Sequence, residues 1–179
     1  SFTWQAPTNQ EAYGDCTNLQ LIHSSGQIKT VDNIDASCGE GIIIRETVDS
    51  SLTGFNGADF TNAYGTPVID SAGDISYGAL VIDGADITVQ GGTFSNINTS
   101  NIVVIDGGAP TIKTISQFEN GVDAQDADGS ALQIRQAGLL QPVVVDSNIF
   151  SSTPSGCSGG DAGKPNIYIV NSYIRVIDN

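Results

Sequence analysis

The sequence predicts an all-β fold, a right-handed parallel β-helix of about five to six coils. Apolar residues come in runs of three to five, rich in Val and Ile and alternating with polar residues, which is typical of strands. Gly, Asn, Ser and Asp interrupt every stretch before a helical period can extend over three turns. The runs also recur at uneven intervals, as expected for stacked coils that carry loops of different length.

The expected strands can be followed in chain order. Runs at residues 19–22 and 41–44 open two early coils, and residues 68–69 are expected to belong to another. Four later coils begin with similar runs at 78–84, 101–107, 130–134 and 166–169. Each is followed by a second run, at 87–89, 111–113, 143–145 and 174–176. Three times a third element ends in Phe, at Phe94, Phe118 and Phe150.

The stacking of these coils defines the interior. Leu80, Val103 and Leu132 are expected to lie on top of one another, about 4.8 Å apart, with Ile105 also pointing inward. We interpret residues 1–179 as one domain, in which residues 1–17 cap the open end because an exposed coil is an unpaired sheet edge. An antiparallel β-sandwich or jelly roll is the alternative. The recurrence of strand, strand and Phe-ending strand favours the β-helix.

Two short motifs carry a family resemblance. Tyr77-Gly78-Ala79-Leu80 and Gly129-Ser130-Ala131-Leu132 resemble the Gly-Gly-Ala-hydrophobic element of the polymorphic outer membrane protein repeat. Phe94-Ser95-Asn96 and Phe118-Glu119-Asn120 resemble its Phe-x-x-Asn element, with the Asn two residues after the Phe. More broadly, the chain is similar to pectin-lyase-like β-helix proteins. The resemblance implies export and a surface or extracellular setting, but this class includes enzymes, adhesins and structural proteins, so it does not select a function.

Charge and hydropathy limit the partners and the compartment. Lys and Arg total 6 against 20 Asp and Glu, a net charge of −14. Because phosphate neutralisation needs basic residues, we expect no binding to nucleic acid. No apolar run approaches the roughly 18 residues of a membrane span, so we expect no membrane insertion. The chain opens at Ser1 without an initiator Met, from which we expect a processed N-terminus and an extracellular or cell-surface location.

The cysteines suggest an oxidising compartment. Cys16 and Cys38 are expected to form a disulfide, which leaves Cys157 as a free thiol or as an intermolecular contact. Three ordinary reduced cysteines are the alternative. A structural zinc site is not expected, because the chain has no CxxC motif and His23 is its only histidine.

A hydrophobic-Asp-small triplet recurs along the chain. Its carboxylates are interpreted as caps of the turns that follow strands, with a stacked cation-binding column as the alternative. They belong to Asp49, Asp70, Asp83, Asp106, Asp146 and Asp178.

The most acidic loop contains Asp123, Asp126 and Asp128. These residues could form a Ca²⁺ site, the one cofactor that the sequence suggests, and a solvated loop is the other interpretation. The loop is not an EF-hand, because Arg135 stands where a bidentate Glu is needed.

The sequence predicts no catalytic residues. A polysaccharide lyase needs a base near the sugar C5 proton and a cation that neutralises the uronate. The expected outward ladder of the second strands reads Thr88, Lys113, Val144, Arg175, which separates its two cations by about 10 Å, two strand spacings. No carboxylate pair lies on that ladder.

These observations predict an exported, non-catalytic β-helix module with a structural, adhesive or assembly role. Its expected partners are other protein subunits or surface glycans. The alternative is a carbohydrate-active enzyme, namely a polysaccharide lyase, glycoside hydrolase or epimerase. Exposed aromatic residues would suit a glycan groove, and the candidates are Trp4, Tyr13, Tyr64 and Tyr77.

Overall fold

In a computed structural model, the described part of the chain is all β and contains no helix. The structure describes residues 2–3, 19–22, 28–30, 34–35, 42–45, 55–57, 59–61, 66–95, 97, 99–119, 130–151 and 165–179. No helix long and apolar enough to cross a membrane occurs in this part of the chain. The all-β class that the sequence predicts is therefore confirmed.

The described strands are short. In chain order they are β1 (Phe2–Thr3), β2 (Leu19–Ile22), β3 (Ile28–Thr30), β4 (Ile34–Asp35), β5 (Ile42–Arg45), β6 (Phe55–Asn56), β7 (Asp59–Thr61), β8 (Thr66–Ile69), β9 (Ile75–Asp83), β10 (Thr88–Gln90), β11 (Thr93–Ser95), β12 (Ser100–Ile105), β13 (Thr111–Lys113), β14 (Gln117–Glu119), β15 (Leu132–Arg135), β16 (Val143–Asp146), β17 (Phe150–Ser151), β18 (Ile167–Val170) and β19 (Ile174–Ile177).

Most of these strands belong to three parallel sheets. The first sheet has the order β18-β15-β12-β9-β5-β2, the second β19-β16-β13-β10-β6 and the third β17-β14-β11-β7-β4. From β9 to β19 the chain visits the first, second and third sheets in rotation, and each strand pairs with its counterpart from the next round. Strands β1 and β3 form a separate parallel pair.

The register of the first sheet differs by one residue from the one that the sequence predicts. Ile102 of β12 lies opposite Leu80 of β9 and Leu132 of β15. Ile102 belongs to the main buried cluster together with Leu80 and Leu132, whereas Val103 and Ile105 belong to a separate cluster. Since successive side chains of a strand point to opposite faces, the prediction that Val103 and Ile105 point into the main core is wrong.

A change of turn residue explains this error. The repeated Ile-Asp-Gly sequence suggests that Asp83 aligns with Asp106, but the register places Asp83 opposite Ile105. The residue after each strand has a positive φ, which is 69° for Gly84 after β9 and 52° for Asp106 after β12. Asp tolerates this left-handed conformation better than most residues do. Asp106 therefore occupies the turn position that Gly84 holds after β9. As a result, the two Ile-Asp-Gly sequences are offset by one residue in the structure.

A column of phenylalanines fills the core beside the third sheet. Phe60 and Phe94 stack with ring centroids 4.4 Å apart and planes 7° apart. Phe94 and Phe118 are 5.4 Å apart, and Phe118 and Phe150 are 4.9 Å apart. The register places Phe94 opposite Phe118 and Phe118 opposite Phe150. The predicted equivalence of the three Phe-ending elements is confirmed.

Asparagine side chains connect neighbouring turns. Asn148, between β16 and β17, is buried. Its side-chain oxygen accepts a hydrogen bond from the N–H of Ile115 (3.1 Å), and its amide donates to the carbonyl of Ile112 (3.0 Å). The side-chain oxygen of Asn179 in turn accepts from the backbone N–H of Asn148 (2.8 Å). These bonds give backbone groups at and beside the strand ends a side-chain partner.

Residues 68–69, which were expected to belong to a further coil, do not lie in a parallel strand. They lie in β8, which pairs antiparallel with the first half of β9, from Thr66 opposite Gly78 to Ile69 opposite Ile75. The Asp- and Gly-containing turn at residues 70–74 joins the two strands, as is typical of a hairpin. We call residues 66–78 the strap.

Candidate functional site

The outer face of the first sheet, the face turned away from the main core, is buried along two strands. Every residue of β12 and β15 is buried, whereas residues of β16 in the second sheet alternate between buried and half-buried. Burial on both faces requires a second layer over the outer face. The strap supplies part of that layer, because Val68 packs in one cluster with Val81, Val103 and Ile105.

The turn of the strap is shaped by the carboxylate of Asp70. Its Oδ1 accepts hydrogen bonds from the backbone N–H of Ala72 (2.9 Å) and of Asp74 (3.0 Å). The N–H of Gly73, at a φ of 89°, donates to the carbonyl of Asp70 (2.9 Å). Asp70 therefore caps its own turn, as the triplet pattern predicts.

Arg135 of β15 joins the strap to the outer face. Its Nε lies 3.0 Å from Oδ2 of Asp70, and its Nη2 contacts Oδ2 of Asp74. The side chain of Asp70 is fully buried and that of Arg135 is 10% exposed, whereas that of Asp74 is 57% exposed. The guanidinium also lies 5.8 Å from the ring centroid of Tyr168. Arg135 is thus enclosed by two carboxylates and an aromatic ring.

The pKa values of this ion pair follow from its surroundings. Burial would raise the pKa of Asp70, but the hydrogen bond from Arg135, the two backbone donors in the turn and the charge of Arg135 outweigh it. The pKa of Asp70 therefore lies below its usual value of 3.8. Burial would lower the pKa of Arg135, but the hydrogen bonds and charges of Asp70 and Asp74 raise it. Both groups are accordingly charged at neutral pH.

A second contact ties the tip of the strap to the neighbouring strand. Oδ1 of Asp106, directly after β12, accepts a hydrogen bond from the backbone N–H of Ser71 (2.7 Å). Two isoleucines of the strap, Ile69 and Ile75, face solvent at 64% and 54% exposure. The strap thus places its polar turn against the sheet and an apolar pair outward.

Several residues that the sequence singled out lie outside the described residues. The Ca²⁺ site at Asp123, Asp126 and Asp128 stays a prediction, as does the disulfide between Cys16 and Cys38. Also outside are Cys157, His23, Asp49, Trp4, Tyr13 and Tyr64. Tyr77 is described and is half-buried in β9. Where the structure does describe the chain, no group of three His, Cys, Asp or Glu side chains is placed to hold a metal ion.

The triplet carboxylates that are described do not form a column. The register places Asp83 opposite Ile105, and Asp146 between Lys113 and Ile177. Asp106 and Asp178 lie beyond their strands with positive φ angles of 52° and 46°. The stacked-cation interpretation of these residues is therefore wrong, because a one-residue offset between rounds separates the carboxylates.

The outward ladder of the second sheet also differs from expectation. Thr111, and not Lys113, shares a row with Thr88 and Val144, and Arg175 follows in that row. Lys113 lies opposite Asp146 in the adjacent row. This places a lysine and a carboxylate side by side on neighbouring strands.

The cluster around Arg135 was not predicted from the sequence. The triplet pattern identified Asp70, but Arg135 is 65 positions further along the chain. The available signal was the turn at residues 70–74 between two alternating strands, which indicates a hairpin. Nothing in the local sequence indicates which surface that hairpin covers.

Comparisons of the chain with protein-family models, with curated proteins and with solved structures found no match.

Proposed function

We propose that the protein is a right-handed parallel β-helix that serves as a non-catalytic structural, adhesive or assembly module, exported to a cell surface or an extracellular complex. Three parallel sheets visited in rotation and the Phe column support the β-helix. The right-handed form follows from the strong preference of parallel strand connections. The cap expected at residues 1–17 stays a prediction, because of these residues the structure describes only 2–3.

The enclosure of Arg135 is the observation that carries the non-catalytic part of this proposal. Acidic glycans are turned over with the help of cations that face the sugar. Arg135 instead bonds Asp70 and Asp74, and the strap covers the surrounding outer face. A guanidinium held by two carboxylates is a poor partner for a third, because its charge is already neutralised.

Exposed apolar residues support contacts with other protein subunits or surface glycans. Leu139 and Leu140, between β15 and β16, are 68% and 99% exposed. Ile69 and Ile75 form a second exposed pair on the strap. Such residues favour association when they lie together.

A carbohydrate-active enzyme is the second candidate, and one observation favours it. Lys113 and Asp146 are register neighbours on the outward rows of the second sheet. Both are half-buried. The lysine could neutralise the carboxylate of a uronate, and the aspartate beside it could take the C5 proton of the sugar. In such an enzyme, Lys113 and Asp146 would be the catalytic pair, whereas Arg135 would stay bonded to Asp70 and Asp74.

A panel of acidic and neutral polysaccharides tests the choice between these candidates. We expect no new unsaturated or reducing ends after prolonged incubation, and we expect retention of the protein on at least one immobilised glycan or a native mass above the monomer. Turnover that Lys113→Gln or Asp146→Asn abolishes, and that the matched variant Arg175→Gln retains, would overturn the non-catalytic proposal. A monomer that neither binds nor cleaves would overturn both candidates.

Calcium is tested separately. The melting temperature with Ca²⁺ is compared with that in excess chelator, for the wild type and for Asp126→Asn. A site at Asp123, Asp126 and Asp128 predicts a higher melting temperature with Ca²⁺ only in the wild type. An unchanged melting temperature would remove Ca²⁺ from the proposal.

A further inference from the structure

The strap crosses the outer face of the first sheet, and we propose that it opens and closes as a unit, with Arg135 as its latch. The proposal concerns motion within this chain and holds for either candidate function.

Within the described part of the chain, one apolar cluster and a set of polar contacts at the tip keep the strap closed. Val68 is its buried apolar side chain in the cluster with Val81, Val103 and Ile105. At its tip, Asp70 and Asp74 bond Arg135, and the Ser71 N–H bonds Asp106. The antiparallel hydrogen bonds between β8 and β9, by contrast, lie within the strap and move with it. Among the described residues, opening therefore separates Val68 from its apolar cluster and breaks the polar contacts at the tip, while Gly78, opposite Ser100 of β12, stays attached to the sheet.

The closed strap also buries a polar atom at a cost. Ser76, in the first half of β9, is 1% exposed. Within the described part of the chain, its hydroxyl oxygen has no hydrogen-bond partner. A buried hydroxyl without a partner is unfavourable relative to one in water. This cost favours the open state and partly offsets the packing of Val68.

The latch has one strong and one weak side. Asp70 has two roles. Its fully buried carboxylate bonds Arg135, which keeps the strap closed, and it also accepts the hydrogen bonds that shape the turn. Asp74 is 57% exposed and its carboxylate contacts the guanidinium, so its replacement should weaken the latch without disrupting the turn. Its backbone N–H still reaches Asp70 in such a variant. Asp74→Asn is therefore the variant that separates opening from unfolding.

Opening would uncover an apolar strip on the outer face. Val81 and Val103 are neighbours in the register, and Ile105 lies two positions after Val103 on β12. All three are at most 1% exposed when the strap is closed. The open state should therefore bind an apolar fluorescent dye that the closed state excludes.

Amide hydrogen exchange tests the proposal directly. In the wild type, amides of residues 68–76 should exchange through local opening, faster than the core amides of Ile112 and Val145. In Asp74→Asn, strap exchange should become a few-fold faster, as expected for a partly exposed ion pair. In Arg135→Lys it should become about ten-fold faster or more, as expected for the loss of a buried charge-assisted hydrogen bond. Core exchange should stay unchanged, and binding of the apolar dye should rise.

Matched variants control for charge. Asp86→Asn changes the charge equally and affects a carboxylate that accepts from the Ala109 N–H, away from the strap. Arg175→Lys is the exposed counterpart of Arg135→Lys. Both should leave strap exchange unaltered. The proposal is overturned if strap and core amides exchange at the same rate in the wild type, or if Asp74→Asn accelerates both regions equally.

Discussion

At the scale of single residues, the buried pair of Asp70 and Arg135 decides how the outer face is closed. Arg135 spans from β15 to a turn that follows β8, so it connects segments that are distant in sequence. Removing one partner of such a pair is costly, because the other charge is left buried without compensation. The pair therefore specifies where the strap lies. Its net contribution to stability is small, because the cost of burying two charges offsets their attraction.

Replacement of Asp70 by Asn makes this role pH-dependent. At pH 7 the variant should lose about 3 kcal/mol of unfolding free energy. The pKa of Asp70 is lower in the folded state than its usual 3.8, so its contribution is complete above the unfolded value and is lost as the pH falls through the folded value. Urea unfolding at several pH values should show a constant difference from neutral pH to about pH 5, shrinking in stronger acid. A difference that grows in acid would contradict this assignment.

The turn residue Thr114 predicts a stabilising change. It follows β13 with a φ of 54°, a conformation that is strained for a β-branched side chain. Thr114→Gly should relieve that strain, whereas the greater entropy of Gly in the unfolded chain opposes the gain. The net result should be an unfolding free energy higher by about 0.5–1 kcal/mol. Thr111→Gly, inside β13, is the matched control and should be destabilising. Thermal melting distinguishes the two, and a lower melting temperature for Thr114→Gly would contradict the argument.

Residue-scale prediction succeeded where the chemistry is local. The capping role of Asp70 follows from the tendency of Asp to bond the N–H groups of its own turn. The pairing with Arg135 could not be predicted, because it depends on which surface the strap packs against and not on the residues next to Asp70 in the sequence.

At the scale of elements, the Phe column is the clearest link between sequence repeats and packing. Phe94 lies between Phe60 and Phe118, whereas Phe150 is half-buried at the end of the described column. The three recurring Phe positions could be recognised in the sequence because each lies in a short strand of the third sheet. The column could be predicted without the structure, although the stacking of Phe60 upon it could not.

Truncation within the column should depend on position. Phe94→Ala should cost about 3–5 kcal/mol, because it leaves a cavity between two rings. Phe150→Ala should cost clearly less, since Phe150 is already half-exposed to solvent. Chemical denaturation of both variants measures the difference, and equal losses would contradict the stacked arrangement.

Strand boundaries were easier to predict than register. The apolar runs around Leu80 and Leu132 both became strands of the first sheet. The register predicted for the run at residues 101–107 was wrong by one residue, because Asp106 takes the turn position of Gly84. The strap was mistaken for a coil because an apolar dipeptide does not distinguish a parallel from an antiparallel partner.

At the scale of the whole molecule, the net charge of −14 should make stability depend on salt. Like charges repel in the compact state, and added salt screens that repulsion over about 8–10 Å. The melting temperature should rise between about 10 mM and 150 mM NaCl, because screening at the higher concentration outweighs the loss of exposed ion pairs. KCl should act equally if screening is the cause. A lower melting temperature in either salt would contradict this expectation.

The all-β class could be predicted because composition, short apolar runs and abundant turn residues all agree. The second layer over the outer face could not, since part of the layer that buries β12 and β15 comes from a hairpin that folds back over them. A sequence repeat reflects what successive coils share, and among the described strands the antiparallel pairing of the strap occurs once.

Contacts between methyl groups test the proposed winding most directly. We expect nuclear Overhauser contacts that run in sequence from Leu80 to Ile102, from Ile102 to Leu132 and from Leu132 to Ile167, since these are register partners on parallel strands about 4.8 Å apart. We also expect contacts from Val103 to Val68 and none from Val103 to the inward methyls of Leu132. Absence of the Leu80–Ile102–Leu132 series, or contacts placing Val103 among the inward methyls, would contradict the proposed winding.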